Sequence, residues 1–214
     1  MRRSAVFPAA LLFAAVACSD GNAGPSEPLV PVLTSVSPAT VPVGSADATL
    51  TLIGSGFARD VQVRFTPVVT PPVLARGLAT TWVSETELRA VIPAAQMVTG
   101  MVGNLSVFSL EASKTSGDQP ITIAYAVPAL TALSHTTATR GQANPAAVTV
   151  TGTGFAFGTT VVWAGQPITT LYQTPTSVYF IPPVTTAGTF ELFVRNPTPG
   201  GGSSTTRTFT VQAP

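Results

Sequence analysis

Residues able to do covalent or acid–base chemistry are few in this chain, and they are scattered. Cys18 is the single cysteine and His135 the single histidine in 214 residues. A lone thiol cannot close an intramolecular disulfide, so an exported protein that carries one needs another reason for it. Nucleophilic catalysis would require His135 beside a nucleophile and an acid, yet it stands in a Thr-rich early loop, LSHTTAT. A metal would require clustered His, Cys or carboxylate groups. The densest acidic pair, Glu85 and Glu87 in SETEL, reads as a solvated turn before a strand, with Thr174 and Thr176 in the matching place further on. The Gly-rich runs GSGF (54–57) and GTGF (152–155) lack the strand-to-helix setting of a phosphate loop, and no Lys follows them. These residues assemble no catalytic constellation, metal site or cofactor site, so the expectation is a protein that is not an enzyme.

The setting of Cys18 supplies its chemistry. Arg2 and Arg3 precede an apolar run from Ala5 to Ala17, broken by Pro8 and closed by Ala15-Val16-Ala17. That is the tripartite pattern of an export signal, and the run is shorter than the ~20 residues that cross a bilayer. Ala15-Val16-Ala17-Cys18 resembles the lipobox of bacterial lipoproteins. The resemblance implies a lipid on the Cys18 sulfur, cleavage just before it, and acyl chains such as palmitate that anchor the protein to a membrane. Two or more chains hold stably where one does not. Ser19, rather than Asp, follows the cysteine, which resembles an outer-membrane sorting signal and implies a periplasmic or surface-exposed protein. Ordinary cleavage at the same bond is the alternative; it gives a soluble chain with a free N-terminal thiol.

Beyond the signal, eight basic residues face nine acidic ones. No basic patch arises, so nucleic acid is not an expected partner. Residues 18–30 are the modification site and a spacer, SDGNAGPSEPLV, that reaches about 40 Å when extended.

The rest of the chain repeats itself. PVLTSVSPATVPVGSADATLTLIGSGFARDVQVRF from Pro31 is answered by PALTALSHTTATRGQANPAAVTVTGTGFAFGTTVVW from Pro128. Phe65 falls where Trp163 falls. Leu88 to Pro93 aligns with Ser177 to Pro182 on their shared Ile-Pro, which leaves nine extra residues in the first copy, placed in TPVVTPPVLARG. Apolar residues alternate with Thr, Gln and Arg: Leu50 and Leu52, Val61, Val63 and Phe65, Val148 and Val150. A period of two marks half-buried strands. Each copy, at roughly 90 residues with about seven short strands, fits an antiparallel sandwich. The expected organisation is a signal peptide over 1–17, a lipidated linker over 18–30, and two domains over 31–126 and 127–214.

The order PxLTSVSPATVPVGS…TLTLIGSGF…VRF…ETELRAVIP, with the late Gly-rich turn of NPTPGGGSSTTRTFTV in the second copy where the first has SLEASKTSGDQP, resembles the IPT/TIG family of immunoglobulin-like domains. The resemblance implies an all-β fold of two tandem immunoglobulin-like sandwiches that act as spacers or binding modules. Tyr125-Ala126-Val127-Pro128 leaves almost no linker between them.

The aromatic residues Trp82, Trp163, Tyr172, Tyr179 and Tyr125 are candidates for stacking on sugars. Trp163 and Tyr179 replace Phe65 and Ala90, both inward, while Trp82 and Tyr172 fit the edge of a core and remain the candidate aromatic contacts. Alternation turns other apolar residues outward. With Trp163, Tyr179 and Ile181 inside, Val162 and Phe180 face out, and Phe193 does so beside Glu191 and Arg195. Those three strands are expected on one sheet, making Val162, Phe180 and Phe193 a candidate contact patch. The matching positions in the first copy are Arg64, Val91 and Phe108. The expected role is non-catalytic adhesion, scaffolding or recognition of a protein partner from the envelope. The alternative is a polysaccharide ligand, held by a surface lipoprotein of an uptake or degradation system.

Overall fold

The computed structural model describes residues 27–214. The signal segment, Cys18 and the spacer up to residue 26 lie outside the described residues.

Period-two sequence produces strands almost throughout. The first half holds β1 (Val32–Ser37), β2 (Thr40–Pro42), β3 (Ala48–Ser55), β4 (Val61–Pro67), β5 (Arg76–Gly77), β6 (Ala79–Ser84), β7 (Glu87–Ile92), β8 (Met101–Ser109), β9 (Lys114–Thr115) and β10 (Gln119–Ala124). The second holds β11 (Ala129–Leu133), β12 (Thr137–Thr139), β13 (Val148–Thr153), β14 (Thr160–Trp163), β15 (Gln166–Ile168), β16 (Thr170–Thr174), β17 (Ser177–Phe180), β18 (Gly188–Asn196), β19 (Gly202–Ser203) and β20 (Arg207–Gln212).

In the first half one sheet runs β1-β3-β7-β6 and the other β2-β10-β8-β4-β5, with β9 against β8. The second half repeats both orders ten strands on: β11-β13-β17-β16, and β12-β20-β18-β14-β15 with β19 against β18. Each pair of sheets closes over its own apolar core. Leu50, Leu52, Phe57, Val63, Phe65, Leu88 and Leu105 belong to the first, and Val148, Val150, Phe155, Trp163, Phe180, Leu192 and Phe209 to the second. This is the all-β, tandem immunoglobulin-like architecture expected from the sequence. On β4 the alternation is literal, with Val61, Val63 and Phe65 buried and Gln62 exposed.

The glycines of GSGF have distinct tasks. Gly56 holds a φ of +69°, open to glycine at no steric cost. Gly54 sits where β1 crosses β3; a Cβ there would lie 1.9 Å from the Val32 carbonyl oxygen and 2.5 Å from the Phe57 ring. Gly152 repeats this against Ala129, at 2.0 Å.

Strand pairing corrects the alignment of the copies. Leu50 lies opposite Ala90 and Leu52 opposite Leu88. Val148 lies opposite Phe180 and Val150 opposite Val178. Phe180, not Tyr179, therefore takes the place of Ala90. The surplus in the first copy is eight residues, between Phe65 and Leu78, where the second passes from Trp163 to Ile168. The slip came from anchoring on Ile-Pro: the second copy has two consecutive prolines, and Pro183 rather than Pro182 stands where Pro93 does.

The joint between the halves is hydrogen-bonded. Tyr125 donates its N–H to the Pro199 carbonyl (3.0 Å) and accepts from the Gly201 N–H (2.7 Å). Asn196 is buried; its amide donates to the carbonyls of Ala126 (2.8 Å) and Gly154 (2.6 Å) and accepts from the Thr159 hydroxyl (2.5 Å). The Pro-Gly-Gly-Gly turn is shaped for this contact, since a Cβ on Gly200 would lie 2.7 Å from the Tyr125 carbonyl oxygen. In the first half Ser109 stands in the place of Asn196, and the turn after it, Leu110–Ser113, has no glycine. Asn196→Ala removes the donor to the Ala126 and Gly154 carbonyls and the acceptor of the buried Thr159 hydroxyl. The second half is expected to lose about 3 kcal/mol in urea unfolding, with the first unchanged.

Candidate recognition surfaces

The expected patch of Val162, Phe180 and Phe193 does not form. β14 and β18 are neighbours, and Val162 lies directly opposite Phe193. Because Val161, Trp163, Leu192 and Val194 fill the core, these two share the outer face. Val162 is nevertheless covered, at 3% exposure, and Phe193 is half-buried between the exposed Glu191 and Arg195. Phe180 belongs to the opposite sheet and is 1% exposed, its ring 6.0 Å from that of Trp163. A shift of one residue moves every side chain of a strand to the other face, and β17 stands one residue from the register its apolar run suggests. In the first half the matching outer face carries Arg64, whose guanidinium lies 3.7 Å above the Phe108 ring, and Ser106, which stands where Phe193 does; Val91, half-buried, belongs to the opposite sheet.

The same shift creates a different surface. Tyr179 faces outward rather than inward, directly opposite Leu171 on β16. Leu171 is 50% exposed and Ile181, just past β17, is 61% exposed. Together with Pro167, Ile168 and Thr169 they line an open cleft of about 510 Å³. β15 and β16 are the last strands of their two sheets, so the cleft lies along the free edge of the sandwich.

Trp82 and Tyr172 stand at equivalent places, each half-buried against its core. The Trp82 indole N–H donates to the Phe57 carbonyl (2.7 Å), and the Arg59 guanidinium lies 4.1 Å above its ring. Tyr172 meets Phe157 edge to face, at 6.4 Å between ring centres. Phe157 is 83% exposed, and with Tyr172, Tyr125 and Val98 it lines a cleft of about 410 Å³ at the joint. Phe157 escaped sequence reading because it follows the core Phe155 by two residues in a turn, where alternation carries no face information.

The remaining polar candidates stay apart. His135 shares a hydrogen bond with the Ser134 hydroxyl (3.1 Å), and its ring lies edge-on to Phe209. Glu87 pairs with Arg89 on the surface (3.5 Å). Among the described residues no three His, Cys, Asp or Glu side chains gather as a metal site would need, and no helix is long and apolar enough to cross a membrane.

The IPT/TIG domain family model matches residues 31–123 and again 131–211. The chain belongs to the IPT/TIG family. Its TIG domains are of a type that serves as binding or scaffolding modules rather than catalysts. No curated protein sequence matches the chain. Among solved structures it is similar to the TIG domain of human nuclear factor of activated T-cells, cytoplasmic 4, at 22% identity, over 48% of this chain and 93% of that one, with a TM-score of 0.37. It is also similar to the Bacteroides ovatus SGBP-B of a mixed-linkage glucan utilization locus, in complex with a heptasaccharide (16% identity, 82% of this chain, 43% of that one, TM-score 0.30). The N-terminal four Ig domains of Dscam1 isoform 6.44 match at 16% identity over 89% of this chain and 47% of that one, with a TM-score of 0.42.

The two TIG domains differ most between Phe65 and Leu78. The second makes a tight turn there through Ala164 and Gly165, both at positive φ. The first inserts a loop that leaves Val68, Val69, Val73 and Leu74 exposed.

Proposed function

We propose that the chain is a non-catalytic lipoprotein of the cell envelope, anchored in the outer membrane through lipid on Cys18, whose TIG domains recognise a protein partner. One observation carries the recognition: Leu171, Tyr179 and Ile181 present an apolar surface along a cleft that no charged side chain lines. Exposed contiguous apolar surface marks contact sites in soluble domains, and clefts with apolar walls suit side chains of a partner. The anchor rests on the position of the only cysteine, immediately after the small-residue end of the apolar run. The spacer and the first TIG domain then hold the second domain away from the membrane.

The test combines both halves of the proposal. Wild type, Leu171→Ser/Ile181→Ser and Cys18→Ser are expressed as full chains. Wild type should fractionate with membranes and retain a defined envelope protein on cross-linking. The double variant should keep the membrane location and lose that partner; Cys18→Ser should leave the membrane fraction. Retention of the partner by the folded double variant contradicts the surface, and a wholly membrane-bound Cys18→Ser contradicts the anchor.

A second reading, a polysaccharide ligand, draws on Phe157 and Tyr172, two aromatic rings facing the cleft at the joint. Aromatic faces stack on sugar rings, and Phe157→Ala would then abolish binding to a glucan column that Ile181→Ser leaves intact.

A further inference from the structure

The loop between β4 and β5 in the first TIG domain adds eight residues that the fold does not need, because the second domain closes the same connection with a two-residue turn. Those residues are not spent on the core. Leu74 is 90% exposed, and Val69 and Val73 form one wall of a cleft of about 300 Å³ whose other wall is Val98 and Met101. One charged group opens on that cleft. Arg76 is the sole charged residue lining it, and no carboxylate pairs with it among the described residues. Arg76 and Gly77 also form β5, the last strand of its sheet, paired through Phe65 and Arg64 on one side only.

We propose that this cleft binds an extended peptide segment of aliphatic residues that carries a carboxylate. The carboxylate sits on the Arg76 guanidinium, which offers a planar fork of donors. Aliphatic side chains lie between Val69, Val73 and Val98. The peptide backbone extends along the free edge of β5. A fatty acid would meet Arg76 and the apolar walls but has no backbone amides to pair with the free edge of β5. A neutral glycan would supply donors but no charge for Arg76. The site lies in the other domain from Leu171 and Ile181, so it stands apart from the surface on which the proposed function rests.

The experiment is an anisotropy titration of the purified full chain with a short labelled peptide of alternating valine and leucine ending in glutamate, its carboxylates free. Its neutral counterpart, with glutamine and an amidated end, serves as comparison. The acidic peptide should bind saturably, about five-fold tighter than the neutral one, and the difference should shrink at high salt. Arg76→Gln should bring the acidic peptide down to the level of the neutral one. Val73→Ser should weaken both, and Ile181→Ser should change neither. All three residues are exposed, so the variants should unfold as wild type does. The proposal is overturned by absence of saturable binding, by equal binding of the two peptides, by Arg76→Gln without loss, or by loss in Ile181→Ser.

Discussion

In Gly54→Ala the unfolding transition of the first TIG domain falls by about 15 °C, while that of the second stays in place. The added methyl group meets backbone rather than a movable side chain: the Val32 carbonyl oxygen lies 1.9 Å from its position. β1 must therefore move off β3, or the Phe57 ring must leave a core in which it is fully buried. Forced overpacking of this kind costs about 3 kcal/mol, a large share of what a domain of this size has to lose. Gly152→Ala is the internal control, since the same methyl would meet Ala129 at 2.0 Å and Phe155 at 2.5 Å. It should lower the second transition alone. Scanning calorimetry of the two variants reads both outcomes, and a joint shift of both transitions in either variant would contradict separate cores.

Phe180→Ser should cost the second domain about 4 kcal/mol, enough to leave it unfolded or nearly so at 37 °C. The ring is buried against Trp163, beside Val148 across the strand pair, so its removal opens a cavity and places a hydroxyl in an apolar setting. Ile181→Ser, one residue away, should cost less than about 1 kcal/mol because the side chain already faces solvent. The pair is a direct reading of register. The reverse result, a tolerant residue 180 and a disruptive residue 181, would restore the alternation expected from sequence and dissolve the Leu171–Tyr179–Ile181 surface. Urea unfolding followed by Trp163 fluorescence measures both variants.

The contrast shows where sequence pattern informs and where it stops. On β4 and β13 polar residues separate the apolar ones, so Val63, Phe65 and Val148 declare their face, and on β18 Glu191 and Arg195 mark the outer face on either side of Leu192, Phe193 and Val194. On β17 Val178, Tyr179 and Phe180 are all apolar, and Ile181 follows. Period two then carries no information, and the face is decided by Val148 and Val150 on β13, some thirty residues earlier. GSGF and GTGF were legible as a pair because glycine at fixed spacing is a local backbone requirement. Asn196 was not, since its partners Ala126 and Gly154 lie 70 and 42 residues away. The Pro-Gly-Gly-Gly turn was visible, but its fit to Tyr125 depends on the neighbouring domain. The cleft around Arg76 was hidden for the same reason: the loop was plain as a Pro-rich surplus, whereas its second wall, Val98 and Met101, comes from the other side of β7.

Amide hydrogen exchange in Phe180→Ser tests most directly whether the chain is two self-sufficient TIG sandwiches that only share a joint. Protection should vanish across β13, β14, β17 and β18 while β3, β4, β7 and β8 keep the wild-type rates. Simultaneous loss of protection in both sets would mean one cooperative unit and would contradict the architecture on which every surface described above depends.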